Sequence, residues 1–115
     1  MEIKGSGKLL RVYIGEDDRY HGKPLYEAIV KKLRSEDFAG ATVMRGIEGF
    51  GAGSRQIRTA RLLRLSADLP ILIEVVDTDE RIQKAIAIIE ALVDEAGCGS
   101  LMTLENIEII RYHPD

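Results

Sequence analysis

Two stretches of this chain echo each other in order. "LLRVYIGEDDR" at 9–19 and "ILIEVVDTDER" at 71–81 each run from apolar, strand-like sequence into an acidic turn. Each is followed by a segment of helical periodicity, and then by a second extended run that begins "AGATVM" at 39–44 and "CGSLMT" at 98–103. The order is therefore strand, helix, strand, repeated. Two such halves interleaved in one antiparallel sheet, with both helices on one face, predict an α+β, ferredoxin-like βαββαβ fold. The face without helices would carry mostly apolar side chains, so a second subunit is expected to cover it.

The individual elements follow from spacing. Leu10, Val12 and Ile14 alternate as in a half-buried strand. Pro24 suits a helix start, and Leu25, Ile29 and Leu33, with Ala28 and Val30, give a helical face to about Glu36. Gly40 marks a turn, "ATVMRGIEGF" is extended, and "AGSRQIRT" has the glycine and polarity of a loop. "ARLLRLS" is compatible with a hairpin arm. "LPILIEVVD", with Pro70 at its start, reads as the most buried and most central strand. Asp77 or Thr78 can cap the next helix, whose face Ile82, Ala85, Ile86, Ile89, Val93 and Ala96 repeats until Gly97. "SLMTLENIEIIRYH" is the last strand. Residues 1–7, with Gly5, Ser6 and Gly7, read as a flexible leader to a single domain at 8–115.

Composition narrows the function classes. Sixteen Lys and Arg against nineteen Asp and Glu give a net charge of −3, so no nucleic-acid partner is expected and any anion site must be local. The single cysteine cannot close an internal disulfide, no targeting leader is visible, and the apolar runs "AIAII" and "LPILI" are interrupted by Glu90 and Glu74. A cytoplasmic protein is expected.

The stretch "RGIEGFGAGSRQIRTARLLR" at 45–64 concentrates the candidate chemistry. Gly49, Gly51 and Gly53 precede Arg55, Arg58, Arg61 and Arg64, and no acidic residue occurs from 52 to 67. Guanidinium groups match phosphate or carboxylate in two-pronged geometry, and glycines let backbone N–H groups approach an anion. A bend followed by a solvated basic loop accounts for the same residues, and both readings stay open. A dinucleotide fingerprint does not fit, because Gly53 falls one position early for G-x-G-x-x-G and no helix follows. Gly97, Cys98, Gly99 and Ser100 form a second flexible corner, explicable as a helix stop. Cys98 has no His beside it and reads as structural. His21 and His113 lack metal-ligand spacing, so no metal is expected. Glu16, Asp17 and Asp18 read as a solvated turn, and Asp77, Asp79 and Glu80 suit a helix N-terminus. Nothing specifies a catalytic acid, base or nucleophile, so no enzymatic activity is expected.

The ordered series "RVYIGEDDRYHGKPLYEAIVKKLR", "GATVMRGIEGFG", "LSADLPILIEVVD" and "ERI" resembles the uncharacterised bacterial and archaeal family called domain of unknown function one-ninety, a PII-like group. The resemblance covers nearly the whole chain. It implies the ferredoxin-like fold of PII signalling proteins, which form compact trimers, bind adenine nucleotides in clefts between subunits and extend a mobile loop to targets. Gly49, Phe50 and Gly51 match the PII "GFG" at the loop root and nucleotide cleft. The PII "GDGK" turn corresponds to "GCGS", so Gly97, Gly99 and Ser100 are implied ligand contacts, with Ser100 in place of the lysine. Two basic residues at the end of the last PII strand correspond to Arg111 and His113. With one lysine and one arginine missing, AMP or ADP suits the site better than ATP. Ala52 and Gly53 depart from the PII loop pattern and the loop has no tyrosine, so neither the PII target nor uridylylation carries over.

Three functions follow from this reading. The first is a non-enzymatic, homotrimeric regulator that binds AMP, ADP or ATP and contacts a protein, membrane proteins included, through Arg55, Arg58, Arg61 and Arg64. The second is a nucleotide-independent trimeric scaffold whose basic loop docks an acidic protein surface. The third, a small metal-binding or catalytic trimer of the same fold, finds too few ligands here.

Overall fold

The computed structural model describes residues 2–51, 58–59 and 68–114, the pair at 58–59 through its backbone. Four strands and two helices alternate in the expected order: β1 Ile3–Gly15, α1 Leu25–Ser35, β2 Ala41–Arg45, β3 Pro70–Asp77, α2 Asp79–Ala96 and β4 Leu101–Tyr112. Two short ladders accompany them, Arg19–Tyr20 with Lys23–Pro24 and Glu48–Gly49 with Arg58–Thr59. The strands form one sheet in the order β2-β3-β1-β4, and every neighbouring pair is antiparallel. This is the ferredoxin-like arrangement, with β1 and β3 central.

Register explains the core. Leu10, Val12 and Ile14 lie opposite Val75, Ile73 and Ile71, so the alternating residues of both central strands share one face. Leu25, Ile29 and Leu33 of α1, and Ile82, Ala85, Ile89 and Val93 of α2, complete a single cluster on that face. Between the two possible caps of α2 the structure selects Thr78, whose Oγ1 accepts from Arg81 N. Gly97 closes the helix in the left-handed conformation at φ 70.

The leader expected over residues 1–7 is strand from Ile3 onward. Ile3 is buried, and a Cβ at Gly7 would lie 2.6 Å from Ile109 Cδ1 and 2.9 Å from the Asp77 carbonyl oxygen. The glycine therefore admits the Ile109 side chain across β1 and does not loosen the chain. Within the segment expected to be loop, Arg58–Thr59 pairs with Glu48–Gly49. The possible hairpin arm at 60–66 lies outside the described residues.

The sheet face away from the helices carries Leu9, Tyr13, Met44, Leu72, Val76 and Leu101, and four of these (Tyr13, Met44, Val76 and Leu101) are among the exposed large apolar residues. Its centre is ionic. Arg11 of β1 donates through Nε to Glu74 of β3 at 2.9 Å and through a terminal nitrogen to Glu105 of β4. The open face is thus an apolar surround with a cross-strand ion triad in its middle.

Candidate functional site

At the end of the sheet where β1 finishes and β3 begins, the chain folds a concavity of about 310 Å³. Four hydrogen bonds donated by backbone N–H groups build it. Glu16 N donates to Leu69 O at 2.8 Å and Asp17 N to Asp68 Oδ1 at 2.9 Å, joining the end of β1 to the start of β3. Gly46 N donates to Pro70 O at 2.7 Å, which brings the 46–51 segment to the same place. On the far side Gly97 N donates to Val93 O at 2.9 Å, turning the chain from α2 toward β4.

The two glycine corners, remote in sequence, therefore face one space. Gly49, Phe50 and Gly51 line it from one side, Gly97, Cys98 and Gly99 from the other, and Ile14, Leu69 and Pro70 give it an apolar floor. Phe50 is 70% exposed. Gly51 is open, and a Cβ there would meet nothing within 4 Å. Ser100, half-buried, follows the second corner at the entry to β4.

The lining is acidic where a phosphate reading wants cations. Asp18 and Asp68 both face the concavity, and no Lys or Arg lines it among the described residues. Burial raises the Asp18 carboxyl above its ordinary range and the nearby Asp68 charge adds to this, while the 2.8 Å bond from Gly15 N opposes both. The Cys98 thiol is pushed up by burial first and by Asp18 second, which favours the protonated thiol over the nucleophilic thiolate.

Arg111 and His113 lie elsewhere. The β1–β4 register sets Leu101 opposite Tyr13 and Tyr112 opposite Ile3. Across the 12 residues of β4, at ~3.3 Å each, these positions stand roughly 35 Å from the glycine corners. Arg111 lines a second cavity of about 340 Å³ with the 39–42 segment, Glu74, Val76 and Ile109. It has no ion-pair partner among the described residues. The His113 ring instead pairs with Glu2 at 3.1 Å. Arg55, Arg61 and Arg64 lie outside the described residues, and Arg58 contributes its backbone to the ladder with Gly49.

Asp18 and Asp68 fall within the family-like stretches "RVYIGEDDRYHGKPLYEAIVKKLR" and "LSADLPILIEVVD". Nothing in either stretch marks them as lining acids, one lying beyond the end of β1 and one two residues before β3. Among the described residues no cluster of His, Cys, Asp and Glu could hold a metal ion, and no helix is long and apolar enough to cross a membrane.

Comparison with known proteins supports the topology. The nitrogen regulatory PII-like protein CPII of Thiomonas intermedia K12, in a structure bound to ADP, AMP and bicarbonate, superposes with a TM-score of 0.66 at 13% identity, over 95% of this chain and 91% of that one. A PII-like signalling protein of Thermus thermophilus superposes with a TM-score of 0.57 at 17% identity, over 91% of this chain and 90% of that one. In sequence, a UPF0166 protein of Aquifex aeolicus (strain VF5) is 34% identical over 103 residues, which is 90% of this chain and 92% of the relative. The model of the DUF190 family, described as "Uncharacterized ACR, COG1993", matches residues 7–109. The chain therefore belongs to the DUF190 family and has a PII-like, ferredoxin-like fold.

Proposed function

We propose that this protein is a non-enzymatic PII-like regulator that binds an adenine nucleotide in a cleft shared by two copies of the chain, within a cytoplasmic homotrimer. One observation carries the reading: Gly49, Phe50 and Gly51 meet Gly97 and Gly99 in one concavity. The bound ADP and AMP of CPII, which shares the fold, support the choice of ligand class.

The same geometry argues for a second copy. A mononucleotide cannot span the roughly 35 Å from the glycine corners to Arg111 of the same chain. The described lining offers carboxylates and no cation, so phosphates placed there need positive charge from outside it. The Arg111 of a neighbouring copy, without an ion-pair partner among the described residues, supplies that charge. With Ser100 at the second corner and acids in the lining, AMP or ADP is preferred over ATP.

Occupancy would be felt by the arginine segment because Gly49 belongs both to the cleft and to the ladder with Arg58–Thr59. A ligand lying against Gly51 biases that ladder, and with it the presentation of Arg55, Arg58, Arg61 and Arg64 to a protein partner, membrane proteins included. Calorimetric titration with AMP, ADP, ATP and cyclic adenine nucleotides tests the reading, with an Arg111→Ala variant in parallel. Saturable binding that the variant weakens by roughly tenfold or more supports it. Absence of binding by every nucleotide refutes it.

The acidic lining favours a second reading, a nucleotide-independent scaffold that docks an acidic protein through the arginine segment. Partner binding would then survive substitution of Gly51 and Gly99 and disappear when Arg55, Arg58 and Arg61 are neutralised.

A further inference from the structure

Asp77 is the one charged side chain that is fully buried among the described residues, at 0% exposure. A carboxylate in that setting needs every lone pair engaged. Its Oδ1 accepts from Thr78 N at 2.8 Å, and its Oδ2 accepts from Ala39 N at 3.0 Å and from Arg81 Nε at 3.1 Å. Arg81 directs a terminal nitrogen to the carbonyls of Glu36 and Asp37, and its guanidinium stacks 4.8 Å from the Phe38 ring centroid. The turn between α1 and β2 is thereby fixed to the head of α2.

Ala39 passes this constraint on. Its N–H is held by Asp77, and its carbonyl accepts from the Tyr112 hydroxyl at 3.0 Å. Tyr112 is the last residue of β4 and adjoins Arg111, whose cavity is walled by Ala39, Gly40 and Ala41. An exposed guanidinium at a strand end would otherwise fray with its backbone.

We infer that Tyr112 is a positioning residue for Arg111: the Asp77–Arg81 pair holds Ala39, Ala39 holds the Tyr112 hydroxyl, and the end of β4 presents Arg111 to a phosphate-bearing ligand of a neighbouring copy. This rests on the nucleotide reading above and adds to it the residues that set the phosphate contact. Tyr112→Phe removes one hydroxyl and leaves the ring, so the fold is retained.

The test is a double-mutant cycle read with labelled ADP in equilibrium dialysis, combined with the NMR order parameter of the Arg111 Nε–H in ligand-free protein. Tyr112→Phe is expected to weaken ADP binding roughly 3- to 10-fold, the loss typical of one hydrogen bond. In an Arg111→Ala background, dialysed at the higher ADP concentrations its weakened binding requires, it should add nothing, because the two residues act as one unit. The order parameter of Arg111 should fall in Tyr112→Phe. An equal loss in both backgrounds, no loss in either, or an unchanged order parameter overturns the inference. If the unmodified protein takes up no ADP, the nucleotide reading fails on its own account, and the order parameter alone decides whether Tyr112 positions Arg111.

Discussion

Replacing Arg81 by methionine should cost far more than the loss of an ordinary surface charge. Asp77 is fully buried, and Arg81 is its only cationic partner among the described residues. Removing one member of a buried pair costs about 3–5 kcal/mol, because the remaining charge stays in a poorly solvating environment. Here the lower end applies, since Thr78 N and Ala39 N still donate to the carboxylate. Loss of the stacking on Phe38 adds a contribution of about 0.5–1 kcal/mol. With an unfolding entropy of about 2.1 cal/mol/K per residue, the combined ~3.5–4 kcal/mol in a chain of 115 residues lowers the melting temperature by roughly 14–17 °C. The control is Lys84→Met, which breaks the exposed 3.5 Å pair with Glu36 and should cost about 0–1 kcal/mol. Thermal and urea unfolding at one fixed protein concentration measure both variants, since the proposed assembly would make the midpoint concentration-dependent. Equal, small losses in the two variants would show that two backbone N–H groups satisfy Asp77 without Arg81, and would remove the physical basis for assigning the Asp77–Arg81 pair a part in holding Ala39.

Three further outcomes are expected. Gly51→Val adds a side chain where a Cβ meets nothing within 4 Å; folding by circular dichroism should be unchanged while nucleotide binding is lost, and undiminished binding would place the ligand elsewhere. Val76→Lys puts a charge beside Leu9 on the open sheet face, so sedimentation should show dissociation into folded monomers; an intact oligomer would move the interface to another surface. Asp18→Asn keeps an acceptor for Gly15 N and removes a carboxylate whose pKa burial has raised. A raised folded pKa means the native state holds the proton more tightly than the unfolded chain, so this group's contribution falls as pH rises through its folded value. The variant should therefore be at least as stable as the parent at pH 7, with the difference shrinking toward ~pH 4; a clear loss of stability at pH 7 would contradict the assigned cause.

What the sequence discloses and withholds follows from the range of each interaction. The alternation of Leu10, Val12 and Ile14 and the helical faces of Ile29 and Ile89 are local periodicities, and both appear in the core as expected. Gly7 reads as part of a loose leader because its reason for being glycine, the Ile109 side chain, lies about a hundred residues away in β4. The ionic centre of the open face, which reads as mostly apolar, stays hidden for the same reason: Arg11, Glu74 and Glu105 become a triad only when three strands are in register. Both glycine corners are legible as flexible points, and the structure brings them together. Asp18 reads as a solvated turn, and only the approach of Asp68 and Cys98 makes it a lining acid. The separation of Arg111 from those corners, and its tie through Tyr112 and Ala39 to Asp77, exist only once the β1–β4 register is fixed.

The claim that two copies of the chain share each nucleotide site is tested most directly by mixing two defective proteins. Gly51→Val lacks the glycine side of the cleft, Arg111→Ala lacks the cationic side, and neither alone should bind ADP at a concentration that saturates the parent. Co-refolded in equal amounts into mixed oligomers, they should regain about one quarter of the parental sites, the fraction in which an intact glycine corner faces an intact Arg111. No recovery in mixed oligomers of verified composition would mean that each site lies within one chain, and the shared cleft would be wrong.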